Sequence, residues 1–379
     1  MPYDCPELPL IESEQSVGRF YEAVSQHRYA GLQRRELHSS SDSLLTDPRL
    51  RNFELIISDN ASTDQTGSIC QSYADRDARI RYVRSESNCG ASPNHKRVFE
   101  MASGEYFKWA AHDDECLPTF LSRCMDVFGR APQSLVLVYP QALIIDEEGR
   151  AIQEYRVSIE SKASRSYRRL ARVVSNVVLG TPVYGVIRAN ALKQTRLIDA
   201  FFSSDYILFA ELAMLGEIWE LPELLLRKRF HPARSMAANK TAYDNEVWLN
   251  PQRPRHMRLL SPCHKLALEY LRSAWRLPLS PCERVICSAS SLFCHYPRHS
   301  GSWVRRCKRA SLDSSGVDTE TWSGQREPNP HLFLTASDCF LTYVRGRNHN
   351  ATFLSNSRVA KSLANFCLSG CFSKPQGVV

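Results

Sequence analysis

FELIISDNASTD at 53–64 and GEYFKWAAHDDE at 104–115 decide the fold of this chain. Phe53 to Ser58 is a short apolar run rich in β-branched residues. It breaks into Asp59-Asn60-Ala61-Ser62, which is how a buried strand finishes. Thr63-Asp64 then offers a helix start, with Ile69, Cys70 and Tyr73 at helical spacing. Ile80–Val83 reads as a second strand and Asn88–Pro93 as a loop. A helix through Val98, Phe99 and Met101 comes next and stops at Gly104. Tyr106–Ala111 is a third strand, closed by His112-Asp113-Asp114. Strands alternating with short helices predict βαβ units and a mostly parallel sheet. Ligands of such sheets lie beyond the carboxyl ends of the strands, where Asp59 and Asp113-Asp114 stand.

SDNASTD after an apolar strand, Asn88-x-Gly90, and GEYFKWAAHDD with Pro118 beyond it together resemble the family-two glycosyltransferases of GT-A fold. The resemblance covers roughly residues 45–235 and implies a GT-A-like, mostly parallel α/β sheet flanked by helices. In that family the carboxylate closing this strand contacts the nucleotide base, which maps to Asp59. The later acidic triplet holds a divalent metal, Mn²⁺ or Mg²⁺, on the sugar-nucleotide diphosphate. Aligned on Pro118 the triplet is Ala111-His112-Asp113, so its first acid is replaced and its third is kept.

The resemblance also assigns an acidic residue at the start of a later helix as catalytic base. Phe201-Phe202-Ser203-Ser204-Asp205 offers Asp205 there, and Ser204 or Asp205 is equally a helix cap. Leu224–Phe230 reads as a strand delivering His231, a position some GT-A enzymes use as a further metal ligand. Asp113 is the first metal ligand expected, with Asp114 and His231 as partners. Asn88 and Asn94 frame a loop that can offer donors to the nucleotide phosphates. The resemblance thus implies an inverting, metal-dependent transfer of a sugar from a nucleotide-sugar donor to a hydroxyl of a glycan or lipid-linked acceptor. The competing readings are a transferase-like protein that binds nucleotide without turnover, and a metal-dependent phosphoesterase using His112-Asp113-Asp114. No G-x-G-x-x-G comes after a strand and no P-loop motif occurs, which argues against nicotinamide and P-loop enzymes.

The 379 residues are 43% hydrophobic, enough for a sizeable core, and no apolar run reaches the ~18 residues of a membrane span. No basic-then-apolar leader is visible at the N-terminus, and the odd number of cysteines, 13, is scattered without a framework. A cytoplasmic protein with reduced thiols is expected. The net charge is +8, and Arg298–Arg309 is a basic cluster. It reads either as a solvated helix face or as a peripheral contact with an anionic membrane surface; no nucleic-acid motif accompanies it.

The pattern divides the chain into four regions. Residues 1–42 form an atypical N-terminal segment in which the family's opening buried strand is not found. Residues 43–235 are the nucleotide-sugar and catalytic domain. Residues 236–310 read as an accessory helical segment, with two helices over 256–296. Residues 311–379 are a linker and a poorly ordered tail. Residues 151–168 are polar and read as a flexible loop over the site.

Overall fold

A computed structural model describes residues 20–26 by their backbone, and residues 52–111, 113–231, 239, 241–252 and 261–298. The tail beyond 310 therefore lies outside the described residues. The described strands form one sheet. Its parallel half runs β3 (Ile80–Arg84), β2 (Phe53–Asp59), β1 (Phe20–Gln26), β4 (Tyr106–Ala111). Helices α1 (Thr66–Ala74) and α2 (Ala91–Met101) make the crossovers. This is the alternation that the apolar spacing predicts.

The sequence pattern predicts no strand before Phe53, and here the structure corrects it. β1 lies between β2 and β4, parallel to both, with Phe20 opposite Phe53 and Tyr106 and Gln26 opposite Asp59. FYEAVSQ has one β-branched residue, Val24, and three polar ones, so composition hides it. A strand paired on both sides has its N–H and C=O groups satisfied by its neighbours, and that ladder outweighs weak local propensity. The segment 1–42 thus supplies the strand at the middle of the parallel half.

The second half of the sheet is mixed. β8 (Val186–Arg188) joins β4 antiparallel and leads to β6 (Leu135–Ile145), β9 (Glu217–Arg229) and the short β5 (Glu115–Cys116). β6 is a single strand with irregular register around Pro140-Gln141. Residues 151–155, expected in a loop, form β7, which hairpins onto β6. Helices α3 (Phe120–Arg130), α4 (Ser166–Asn176), the short α5 (Ala189–Leu192) and α6 (Ser204–Leu215) flank the sheet. Trp109, Phe107 and Phe99 fill one face, with Phe107 edge-on to both neighbours at 4.8 and 5.0 Å between ring centres. Such edge-to-face pairs add about 0.5–1.5 kcal/mol each to their area burial.

The accessory helical segment is present. It comprises α7 (Ala242–Leu249), which the sequence pattern does not reveal, and α8 (Pro262–Arg276) and α9 (Pro281–Arg298), which it does. Leu266, Tyr270 and Ala274 of α8 and Cys287 of α9 bury against Leu170 and Val174 of α4 and Ile207, Ala210 and Met214 of α6. The segment therefore packs directly on the helix that carries Asp205. No helix of the described residues is long and apolar enough to cross a membrane.

Candidate functional site

Asp59 ends β2 with its carboxylate fully buried. Oδ1 accepts the Ser62 amide at 2.8 Å, closing the turn, and Oδ2 accepts the Tyr82 hydroxyl at 2.8 Å. The Arg84 guanidinium lies 3.5 Å from Oδ2. The turn-forming role is thus built, and both carboxylate oxygens are engaged within the protein. Burial and the Asp59 charge push the Tyr82 phenol well above its usual range.

Next to it, Asn60 clasps the 88–90 loop. Its amide donates to Asn88 Oδ1 at 2.9 Å, and its carbonyl accepts the Cys89 amide at 2.9 Å. Asn88 Oδ1 also accepts the Gly90 amide at 2.9 Å, so Asn88 shapes the loop at the start of α2. Asn94, fully buried, accepts from Ser58 Oγ at 2.6 Å and donates to the Ser58 carbonyl at 3.2 Å. Its amide is spent fastening α2 to the end of β2. Gly90 has φ 93°, and a Cβ there would stand 2.6 Å from the Leu249 carbonyl and from Pro251. Gly90→Ala is therefore expected to cost at least about 1–2 kcal/mol from backbone strain alone, more with the overlap. The check is a lower melting temperature together with weakened nucleotide binding.

At the end of β4, Asp113 and Asp114 take different roles. Asp114 is buried, and its Oδ1 accepts the Arg229 amide at 3.0 Å while its Oδ2 pairs with Lys228 Nζ at 2.8 Å. Burial raises its carboxyl to about 6, opposed by Lys228. Both oxygens of this expected metal ligand are thus spent fixing the β9 end. Asp113 is half-buried, and its Oδ2 lies 3.0 Å from His231 Nε2. The structure brings Asp113 and His231 together, from strands far apart in sequence. Among the described residues no group of three or more His, Cys, Asp or Glu converges as a metal cage. Arg229 anchors the corner through its bonds to the Asp113, Asp146 and Glu147 carbonyls and to Glu115.

Asp205 lies in the first turn of α6 and accepts the Tyr206 amide at 3.1 Å, so it also serves the helix end. A helix N-terminus favours an ionised carboxylate, yet burial wins and raises Asp205 to about 6. Its Oδ2 fills the space where a Cβ of residue 180 would stand, so a side chain there would have to displace the Asp205 carboxylate. The 178–180 loop is held by the Tyr206 hydroxyl on the Val178 carbonyl and by the Leu179 amide on the Tyr155 hydroxyl.

Tyr184 joins these parts, and sequence reasoning did not single it out. Burial pushes its phenol up to about 12, opposed by Lys228 and reinforced by the charges of Asp114, Asp113 and Asp205. Lys228 Nζ stands 4.9 Å over its ring. The hydroxyl therefore stays protonated beside the charges of Asp113, Asp114 and Asp205. In the sequence the residue stands at the start of Tyr184–Arg188, which reads as a short strand resembling the family's acceptor side, with no site role given to the tyrosine.

The glycosyl transferase family 2 model matches residues 34–195. An uncharacterised glycosyltransferase of Rickettsia typhi is 24% identical over 205 residues, 52% of this chain and 62% of that protein. The GalNAc(5)-diNAcBac-PP-undecaprenol beta-1,3-glucosyltransferase of Campylobacter jejuni is 25% identical over 166 residues, 43% of this chain and half of that protein. The chain thus spans less than two thirds of these relatives. The crystal structure of S. aureus TarS 1–349 superposes with a TM-score of 0.51 at 14% identity, covering 80% of this chain and 76% of that one. The same TarS fragment in complex with UDP gives 0.50 at 15% identity, over 75% and 74% of the two chains. At such identity the likeness speaks to fold. With the family match over the strand ends that carry Asp59 and Asp113, residues 34–195 belong to glycosyl transferase family 2, on a sheet of GT-A type.

Proposed function

We propose that the chain is an inverting glycosyltransferase that takes a nucleotide-sugar donor and a hydroxyl-bearing glycan or lipid-linked acceptor. The observation that carries this is the gathering of Asp113, His231, Tyr184 and Asp205 at the carboxyl end of the sheet, beside the Asp59 strand end. Asp59, with the Asn60–Gly90 clasp next to it, offers the nucleoside end of the cleft. One carboxylate and one imidazole 3.0 Å apart fit a Mn²⁺ or Mg²⁺ ion that takes its other ligands from diphosphate and water. Such an ion supplies charge neutralisation on the departing diphosphate.

The residues of the chain do the rest. Asp205 accepts the proton of the acceptor hydroxyl as its oxygen bonds to the anomeric carbon. The bond to the nucleoside diphosphate breaks on the opposite face, and the configuration inverts. Tyr184 keeps its proton beside the Asp113 and Asp205 charges. Lys228 and Arg229 hold the metal corner rigid from behind.

A base must be ionised to act, and Asp205 is raised to about 6. Turnover with saturating donor is therefore expected to rise through about pH 6 and then level off. The measurement is release of nucleoside diphosphate from a panel of nucleotide sugars across pH, with and without Mn²⁺. Release from none of them by a folded sample, at any pH, would overturn the proposal.

A further inference from the structure

β7 is exposed at Ala151, Ile152, Gln153 and Glu154, and its last residue breaks the pattern. Tyr155 is half-buried opposite Ala142 of β6. Its ring packs on the core cluster that holds Ala142, Leu221 and Leu225. Its hydroxyl accepts the Leu179 amide at 3.0 Å. A hairpin otherwise open to water thus delivers one inward tyrosine to the loop between α4 and the 3-10 turn Thr181–Tyr184.

The same loop is gripped from the other side. Tyr206, in the first turn of α6, donates its hydroxyl to the Val178 carbonyl. Its own amide donates to Asp205 Oδ1 at 3.1 Å. Gly180 lies against the other carboxylate oxygen, which fills the place of a Cβ there. Two tyrosines, one from the hairpin and one from the helix of Asp205, therefore fix consecutive residues of a segment that covers the proposed base. Connecting loops are the least restrained parts of a fold, and hydrogen bonds to their backbone keep them in one place.

We infer that Tyr155 and Tyr206 are positioning residues that clamp the 178–180 loop onto Asp205, holding its carboxylate in place and away from water; this rests on the reading of Asp205 as the base. The charges of the surrounding elements are engaged elsewhere. Lys228 of β9 pairs with Asp114, Asp113 with His231, and Lys265 of α8 with Glu269. Arg169 of α4 reaches the Ala213 and Met214 carbonyls at the far end of α6. Tyr184 feels the Asp205 charge and stays protonated. Burial is what raises Asp205, opposed by the Tyr206 amide and its own, and the loop is part of that burial.

Tyr155→Phe and Tyr206→Phe each remove one oxygen and keep the ring. Either change loosens the loop and admits water to Asp205. The midpoint of the pH profile of turnover should then fall from about 6 toward 3.8, by a few tenths of a pH unit or more. kcat should drop roughly two- to tenfold with the KM for the nucleotide sugar unchanged, and the double variant should show more of both effects. A second measurement needs no turnover. The gain in melting temperature on Asp205→Asn is followed from about pH 4 to about pH 7 in the wild-type and phenylalanine backgrounds. A carboxyl raised less by burial destabilises less once ionised, so the gain at the upper end should shrink in the phenylalanine backgrounds. Tyrosines that only stabilise the fold would lower melting at every pH and leave midpoint and gain where they were. That result, in both single variants and in the double, would overturn the inference. A shrunken gain in a chain that releases no nucleoside diphosphate would support the clamp and refute the base, so the two readings fail separately.

Discussion

Asp205→Asn should lose turnover by a factor of about 10²–10⁴ while melting at a higher temperature than the wild-type protein. The two effects share one cause. Burial raises the Asp205 carboxyl from its ordinary value to about 6. A raised carboxylate is a group the folded state would rather keep protonated. Between about pH 4 and 6 the native chain binds more protons than the unfolded one, so stability falls as pH rises through that window. Above it the ionised group weighs on the fold by on the order of 1–3 kcal/mol. Asparagine removes that charge at constant shape and keeps an oxygen for the Tyr206 amide. Donor binding should change little, because in the proposed mechanism the substituted group serves the acceptor hydroxyl and not the donor. A residue serving only as a helix cap would leave turnover alone, because asparagine caps a helix as well as aspartate does. Thermal melts and turnover on one preparation separate the two roles.

Arg196→Ala should strongly destabilise the joint with the helical layer, at about 2–3 kcal/mol. Arg196 donates to Glu211 Oε1 at 3.0 Å through Nε and to Glu211 Oε2 at 2.8 Å through its own amide. It also reaches Glu269 and, at 3.0 Å, Ser273 Oγ. Glu211 is fully buried in α6 and Glu269 nearly so in α8. Removing the cation leaves two carboxylates short of charge at the joint between the sheet's flanking helix α6 and the helical segment. Lys265 and Arg272 still serve Glu269, and Arg276 still serves Glu211, so the loss is partial unfolding pressure and not collapse. Burial raises the Glu269 carboxyl, but the bonds from Arg196 and Lys265 outweigh it and hold it down to about 2. Its contribution is thus complete above its ordinary pKa, near 4.5, and fades as pH falls from there toward 2. The variant should show a lower melting temperature at pH 7 and a shallower further loss in acid. A melting temperature within a degree or so of wild type would refute this clamp.

The alternation of strands and helices from Phe53 to Ala111 was legible because each strand there is apolar and each turn carries Asp, Asn or Gly. β1 was not, because its stability comes from neighbours on both sides and not from its own residues. β7 hid for a related reason: AIQEY is exposed on nearly every position, and pairing with β6 alone makes it a strand. Among the candidate site residues, the positions of Asp59, Asp113, His231 and Asp205 on the fold could be read because strand ends and helix starts show in sequence. The division of labour between Asp113 and Asp114 could not, since it depends on Lys228 and the Arg229 amide arriving from β9. Asn94 looked like a phosphate donor, yet its amide is occupied by Ser58, a partner 36 residues away. Tyr184 and Gly180 became visible only once α6 was seen beside their loop.

The most direct measurement is a calorimetric titration of UDP into the intact chain, with and without Mn²⁺, repeated on Asp113→Ala. Binding that strengthens with Mn²⁺, and a mutant that has lost the metal-dependent part while keeping its fold, is the result predicted. Asp113→Ala binding UDP with undiminished Mn²⁺ dependence would contradict the assignment of the β4 end. Failure of a folded sample to bind UDP, GDP, CDP or dTDP at all would contradict the nucleotide site itself.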